Sequence, residues 1–107
     1  MTVIRILVPL ATIATVAAVN GGGKGDAKSG EKVFEQCAVC HNATTDEKKV
    51  GPSLKGLFER KKLSSGKSVT DENVLAQINS GGNGMPAFGD KLSSKDKDDL
   101  LAYLHSL

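Results

Sequence analysis

Apolar and polar positions divide the chain into one unbroken apolar run, three segments of helical period, and polar or glycine-rich stretches between them. The run is residues 6–19 (ILVPLATIATVAAV), which carries no charge. Gly30, Val33, Phe34, Cys37, Ala38 and His41 then recur at the i, i+3, i+4, i+7 spacing of one helix face. They predict a helix over about residues 27–40 that carries both thiols on an apolar stripe, with Asp26 or Ser29 able to cap its start. Val74, Leu75 and Ile78 predict a short amphipathic helix over about residues 70–80, with Thr70 as cap and Gly81-Gly82 as stop. Leu100, Tyr103, Leu104 and Leu107 line one face of a terminal helix. Before it stands Ser93-Ser94-Lys95-Asp96, a capping box with Asp in place of Glu, and Asp96, Asp98 and Asp99 fall where the helix dipole favours acids. No stretch alternates with a period of two and no internal repeat is present, so the chain reads as all-α.

The stretches between these segments are punctuated by Gly and Pro. Residues 20–29 (NGGGKGDAKS) form a flexible lead-in, and residues 42–51 are polar and irregular. From Gly51 to Phe58 the chain predicts a tight turn and a short helical piece, because Pro52 fixes φ and Gly56 weakens any longer helix. Residues 59–69 make a charged loop. In residues 81–89 (GGNGMPAFG), glycines at 81, 82, 84 and 89 and the effect of Pro86 on its predecessor predict an extended loop that carries Met85.

A helix rising about 1.5 Å per residue over residues 6–19 covers only about 21 Å of a hydrocarbon layer about 30 Å thick. With Arg5 before it and Val16 and Ala18 at the end, the run reads as a secretory signal cleaved after Ala18. The alternative is an uncleaved anchor, lengthened by Val3-Ile4. The expected organisation is a signal peptide over residues 1–18, a linker over 19–26 and one domain over 27–107. Either reading exports the domain.

That domain is small. Its aromatics are Phe34, Phe58, Phe88 and Tyr103, with no Trp. Chains of this size bury too little surface unless a cross-link, metal or cofactor joins the core. The net charge of +2 gives no ground for a nucleic-acid partner. Lys48, Lys49, Lys55, Arg60, Lys61, Lys62 and Lys67 stand against Glu59 alone, a cluster read as a solvated loop ahead of a docking patch.

Cys37-Ala38-Val39-Cys40-His41 is a C-x-x-C-H sequence, the pattern of c-type haem attachment. Two thiols three positions apart can reach the two vinyl groups on one porphyrin edge, and the next residue offers an imidazole to the iron. The other axial position then needs a ligand. Met85 is the candidate, since a thioether favours ferrous iron, raises the potential and closes the site to other ligands. A core-filling methionine would not need glycines before it and a proline after it, whereas backbone approaching a flat macrocycle does. His105 reads as an exposed helix-end residue whose charge suits the dipole. Zinc is disfavoured because His41 directly follows a Cys, which is not finger spacing, and a thioredoxin-like pair would need strands. A simple disulfide stays open, but it leaves His41 and the Met85 loop without a role.

The ordered set of C-x-x-C-H, Gly30 and Phe34 before it, Pro52-Ser53-Leu54 after it, Met85-Pro86 in a glycine-rich loop, and Leu100 with Tyr103 resembles a class I monohaem cytochrome c of the small bacterial type, over residues 27–107. The resemblance implies about four short helices packed around one covalently bound haem c with its iron. It implies thioethers at Cys37 and Cys40 and axial ligands at His41 and Met85. The Pro52 carbonyl would accept a proton from His41, Leu54 would pack on the haem, and Gly30 would let the last helix approach while Phe34 meets Leu100 and Tyr103. Many relatives place a Trp beside a haem propionate; this chain has none, and Arg60, Gln77 and Asn79 are the candidates left.

The implied function is single-electron transfer, with no enzymatic activity, by a periplasmic or otherwise extracytoplasmic monomer. Its partners would be a membrane oxidoreductase as donor and an oxidase or reaction centre as acceptor. Two alternatives are a membrane-tethered subunit held by residues 1–19, and a haem peroxidase or ligand sensor. The last has no distal His or Arg placed for it.

Overall fold

A computed structural model describes Val3 and residues 24–107. The expected signal or anchor and the first part of the linker therefore lie outside the described residues, Val3 excepted. Among those described, the elements are α1 (Ala27–Phe34), a 3-10 turn (Leu57–Glu59), α2 (Asp71–Ser80) and α3 (Ser94–His105), the all-α class the periodicity predicts. None of these helices is long and apolar enough to cross a membrane.

α1 starts where Asp26 accepts the amide of Ser29, and it stops sooner than its apolar stripe. Residues 35–40 continue as turns, with Glu35, Gln36 and Cys37 amides on the carbonyls of Lys32, Val33 and Phe34, three residues back. The propensities of Cys37, Val39 and Cys40 are poor for a helix. The Cys40 carbonyl, moreover, is taken by the amide of Gly51 at 2.7 Å, which leads the chain away from a regular ladder. The thiols thus sit on a tightened continuation of α1.

α1 and α3 cross at Gly30. A Cβ there would lie 1.9 Å from the Asp99 carbonyl oxygen and 2.8 Å from Tyr103 Cβ, so only glycine lets the backbones meet. Phe34 and Tyr103 pack beside the crossing with ring centroids 5.2 Å apart and tilted by 50°. Around them Leu57, Val74, Ile78, Leu92, Leu100, Leu101 and Leu104 close one core, in which Leu100 is 1% exposed.

Asp99 departs from the sequence reading. It is buried, accepting the Asp26 amide at 2.9 Å and the Lys95 ammonium at 2.6 Å, so it ties the start of α1 to α3. Those two donors hold its carboxyl below the ordinary carboxylate value. The Ser93–Asp96 capping box forms with both of its bonds, and Thr70 caps α2 by accepting the Asn73 amide.

His105 also departs from expectation. Its side chain is only 20% exposed; the ring stacks on Phe58 at 3.5 Å and 16°, and Nε2 meets Asp71 at 2.5 Å. The last turn of α3 is thereby fastened to the first turn of α2. Periodicity placed His105 off the apolar face, but it could not show that the 3-10 turn brings an aromatic ring beneath it.

Candidate cofactor site

The thiols of Cys37 and Cys40 are both free, so no disulfide joins them, and both side chains are partly buried. Burial pushes the Cys37 thiol above its ordinary value, with the neighbouring Cys40 adding to the effect. The segment is stapled to the loop that follows it: Lys49 Nζ donates to the Ala38 carbonyl at 3.1 Å, Gly51 to Cys40 at 2.7 Å, and the Leu54 amide to Asn42 at 2.8 Å.

His41 Nδ1 lies 2.7 Å from the Pro52 carbonyl oxygen. An acceptor there requires Nδ1 to carry the proton, which leaves the lone pair of Nε2 as the metal-binding position. A Cβ on Gly51 would fall 2.4 Å from His41 Cε1 and 2.8 Å from Nδ1, so the glycine cradles the ring. Sequence reasoning assigned Gly51 only to a turn. The signal that could have found it was its position between the histidine and the proline that orients it.

Met85 is partly buried and packs against the hydrophobic core, as do Cys37 and Leu54. The loop that carries it is more ordered than an extended segment. Gly82 and Met85 exchange both backbone hydrogen bonds, at 2.9 and 3.0 Å, across Asn83 and Gly84, whose φ values of 53° and 88° match a type I′ hairpin turn. Gly81, at φ 63°, stands where a Cβ would be 2.4 Å from the Met85 carbonyl oxygen. The Asn-Gly pair announces such a turn, but the flanking glycines hid it because they lack the alternating apolar residues of a hairpin.

The structure separates the three polar candidates for the propionates. Arg60 spends its guanidinium on the backbone, donating to the carbonyls of Ser53 at 3.0 Å and Lys55 at 2.6 Å. Gln77 Nε2 donates to the Gly81 carbonyl at 3.1 Å and points at Met85 Sδ at 3.7 Å, within reach of a sulfur acceptor. Asn79 Oδ1 is buried with no hydrogen-bond partner, but as an acceptor it offers nothing to an ionised propionate, which also only accepts.

The donor set is therefore two unpaired thiols, an imidazole fixed in one tautomer and a methionine sulfur held by its own turn. With the Gly51 cradle, these residues fit a covalently attached iron porphyrin. A separate cavity of about 300 Å³ on the α1 flank of His41 is lined by Glu31, Glu35 and Lys49 among others, and by none of Cys37, Leu54 or Met85.

Comparison with known proteins agrees with this reading. The family model described as cytochrome C oxidase, cbb3-type, subunit III matches residues 25–104. Cytochrome c of Cochliobolus lunatus is 35% identical over 78% of this chain and 94% of its own length. Cytochrome c6 of Diacronema lutheri is 29% identical over 77% and 96%. The solved structure of cytochrome c6 from the diatom Phaeodactylum tricornutum superposes with a TM-score of 0.61 at 29% identity, covering 77% of this chain and 93% of that one.

Proposed function

The chain belongs to the class I monohaem c-type cytochromes, and on that premise we propose that it carries single electrons between exported or membrane-bound redox proteins through one haem c, without catalysing a reaction of its own. Cys37 and Cys40 would hold the porphyrin by thioethers, and His41 Nε2 and Met85 Sδ would be the axial ligands. Bound in this way, haem c supplies exchange between Fe(III) and Fe(II).

The chain's residues do the rest. Pro52 and Gly51 fix the imidazole, so Nε2 keeps one orientation in both oxidation states. The Asn83-Gly84 turn and the Gln77 amide hold Met85, which limits the movement that an electron transfer would otherwise require. Leu54 and the core leucines exclude water, and a low dielectric around the site favours the less charged, reduced state. The observation that carries the reading is the bond between His41 Nδ1 and the Pro52 carbonyl, because it sets a ligand tautomer that neither a disulfide nor a surface histidine needs.

A redox titration of the purified protein with optical spectra tests the reading. One low-spin haem with a long-wavelength sulfur-to-iron band in the oxidised state is expected. Ready binding of carbon monoxide by the reduced protein would remove Met85 as ligand and favour the peroxidase or sensor alternative. The donor would be a membrane oxidoreductase and the acceptor an oxidase or reaction centre, reached by a monomer outside the cytoplasm.

A second reading, a subunit tethered through residues 1–19 to a membrane oxidase, draws on the apolar run and on the oxidase subunit named in the matching family. Recovery in the membrane fraction after a high-salt wash would establish it, whereas recovery in the soluble exported fraction would leave the free carrier.

A further inference from the structure

The turn that holds Met85 is built from a dipeptide with chemistry of its own. Asn83 is the one residue other than glycine at positive φ among the described residues, and it is exposed, with its side-chain amide in no hydrogen bond there. Gly84 follows it at φ 88°; a Cβ on Gly84 would meet nothing within 4 Å, and its amide donates no bond in the described structure. Nucleophile and carbonyl are thus adjacent, unshielded and unpaired, and glycine adds no side chain to block the approach. Asn42, Asn73 and Asn79 are none of them exposed, at positive φ or followed by glycine. They precede Ala43, Val74 and Ser80, and the amides of Asn42 and Asn73 already donate to the Glu47 and Ser68 carbonyls at 2.7 and 3.0 Å.

We propose that Asn83-Gly84 is a self-modification site at which deamidation and isomerisation unlatch the Met85 hairpin, so that the protein carries an irreversible ageing step beside its sulfur ligand. The Gly84 backbone nitrogen attacks Asn83 Cγ. The new N–Cγ bond forms, the Cγ–Nδ2 bond breaks, and ammonia leaves with the proton that Gly84 nitrogen gives up, closing a succinimide. Water then opens the ring at one carbonyl to aspartate, or at the other to isoaspartate with the main chain rerouted through the former side chain. No oxidant or reductant is needed.

Isoaspartate lengthens the backbone between residues 83 and 84 by one methylene. The reciprocal pair between Gly82 and Met85 depends on a loop of two ordinary residues, and a longer path breaks its register. Met85 then loses the hairpin latch and is held by the looser chain on either side, the Gln77 amide and its contacts with the core. The effect on the iron rests on the reading of Met85 as axial ligand; the chemistry at Asn83 does not.

The test incubates the holoprotein at mildly alkaline pH and follows it by peptide mass mapping, by labelling with an isoaspartyl methyltransferase and by the sulfur-to-iron band. The peptide with Asn83 is expected to gain the mass difference between amide and acid before those with Asn42, Asn73 or Asn79. It should accept the methyl label, and the band should be lost in proportion to the labelled fraction of that peptide, counted apart from any label at the second Asn-Gly pair, Asn20-Gly21. Asn83→Gly keeps the positive φ and removes the reacting amide, so that variant should keep its band over the same time. An Asn83 amide that survives as long as the other three overturns the proposal, as does full conversion with an undiminished band. A fresh protein with no such band would sink the Met85 ligation instead, and the mass map would still judge the modification.

Discussion

At Gly51 a single hydrogen atom decides how the histidine ring lies. Replacing Gly51 by Ala puts a methyl 2.4 Å from His41 Cε1, and the ring cannot stay there while Nδ1 keeps its 2.7 Å contact with Pro52. The expected result is a loss of about 1–3 kcal/mol of stability, the usual cost of an added methyl that forces its neighbours to shift. Denaturant titration measures that loss, and under the proposed ligation a shifted reduction potential should accompany it, because the imidazole would lose the acceptor that makes it a stronger donor to iron. Gln77 offers a complementary test. Its amide points at Met85 Sδ from 3.7 Å. Gln77→Leu removes a donor whose partial positive charge draws electron density from the sulfur, so the potential should fall while the fold and the sulfur-to-iron band persist; an unchanged potential would show that the amide serves only the Gly81 carbonyl. The contact of His41 with Pro52 was legible in the sequence because both residues are chemically unusual in their setting. Gly51 and Gln77 were not, since their roles depend on distances that no spacing rule encodes.

Among the elements, the joint between α1 and α3 carries two different kinds of constraint. Gly30→Ala forces a methyl against backbone, 1.9 Å from the Asp99 carbonyl oxygen, and backbone cannot rotate aside as a side chain would. Overpacking of this kind costs about 1–3 kcal/mol or more, and thermal unfolding should register it as a lowered midpoint. The second constraint is ionic. The Asp99 carboxyl lies below its ordinary value of 3.8, chiefly through Lys95 and then through the Asp26 amide. A lowered folded-state pKa means stability that is present above about pH 4 and lost as the pH falls through the folded value. Asp99→Asn should therefore lower stability at neutral pH and flatten the acid limb of the unfolding curve. Added salt should weaken the Lys95 part of the wild-type effect, because that lysine is exposed, while leaving the amide bond from Asp26. Periodicity located both helices but placed Asp99 with the solvated acids. Three aspartates in one helix turn look alike until the partner helix arrives and its first amide selects one of them.

For the molecule as a whole, the question is what closes so small a structure around its site. The class and the three α-helices were readable because each rests on local pattern: a 3.6-residue period and a cap. The early end of α1 and the stacking of His105 on Phe58 were not, because each involves residues outside its own helix, and the Met85 hairpin, though local, was hidden by its flanking glycines. Cys37, Leu54, Phe58 and Met85 pack on the core yet remain only partly buried, so the side of the core toward the site is finished by the cofactor rather than by protein. A structure completed in this way stores part of its folding free energy in the bound group. Cys37→Ala with Cys40→Ala, which removes both thioethers, should give a chain with much reduced helical circular dichroism and a broad, weakly cooperative thermal transition. Leu100→Ala in the attached protein should cost about 2–5 kcal/mol and still leave a cooperative transition. A sharp transition and full helix content in the double Cys variant would mean that α1, α3 and their glycine crossing fold unaided. The attached group would then be a passenger of the fold instead of part of its core.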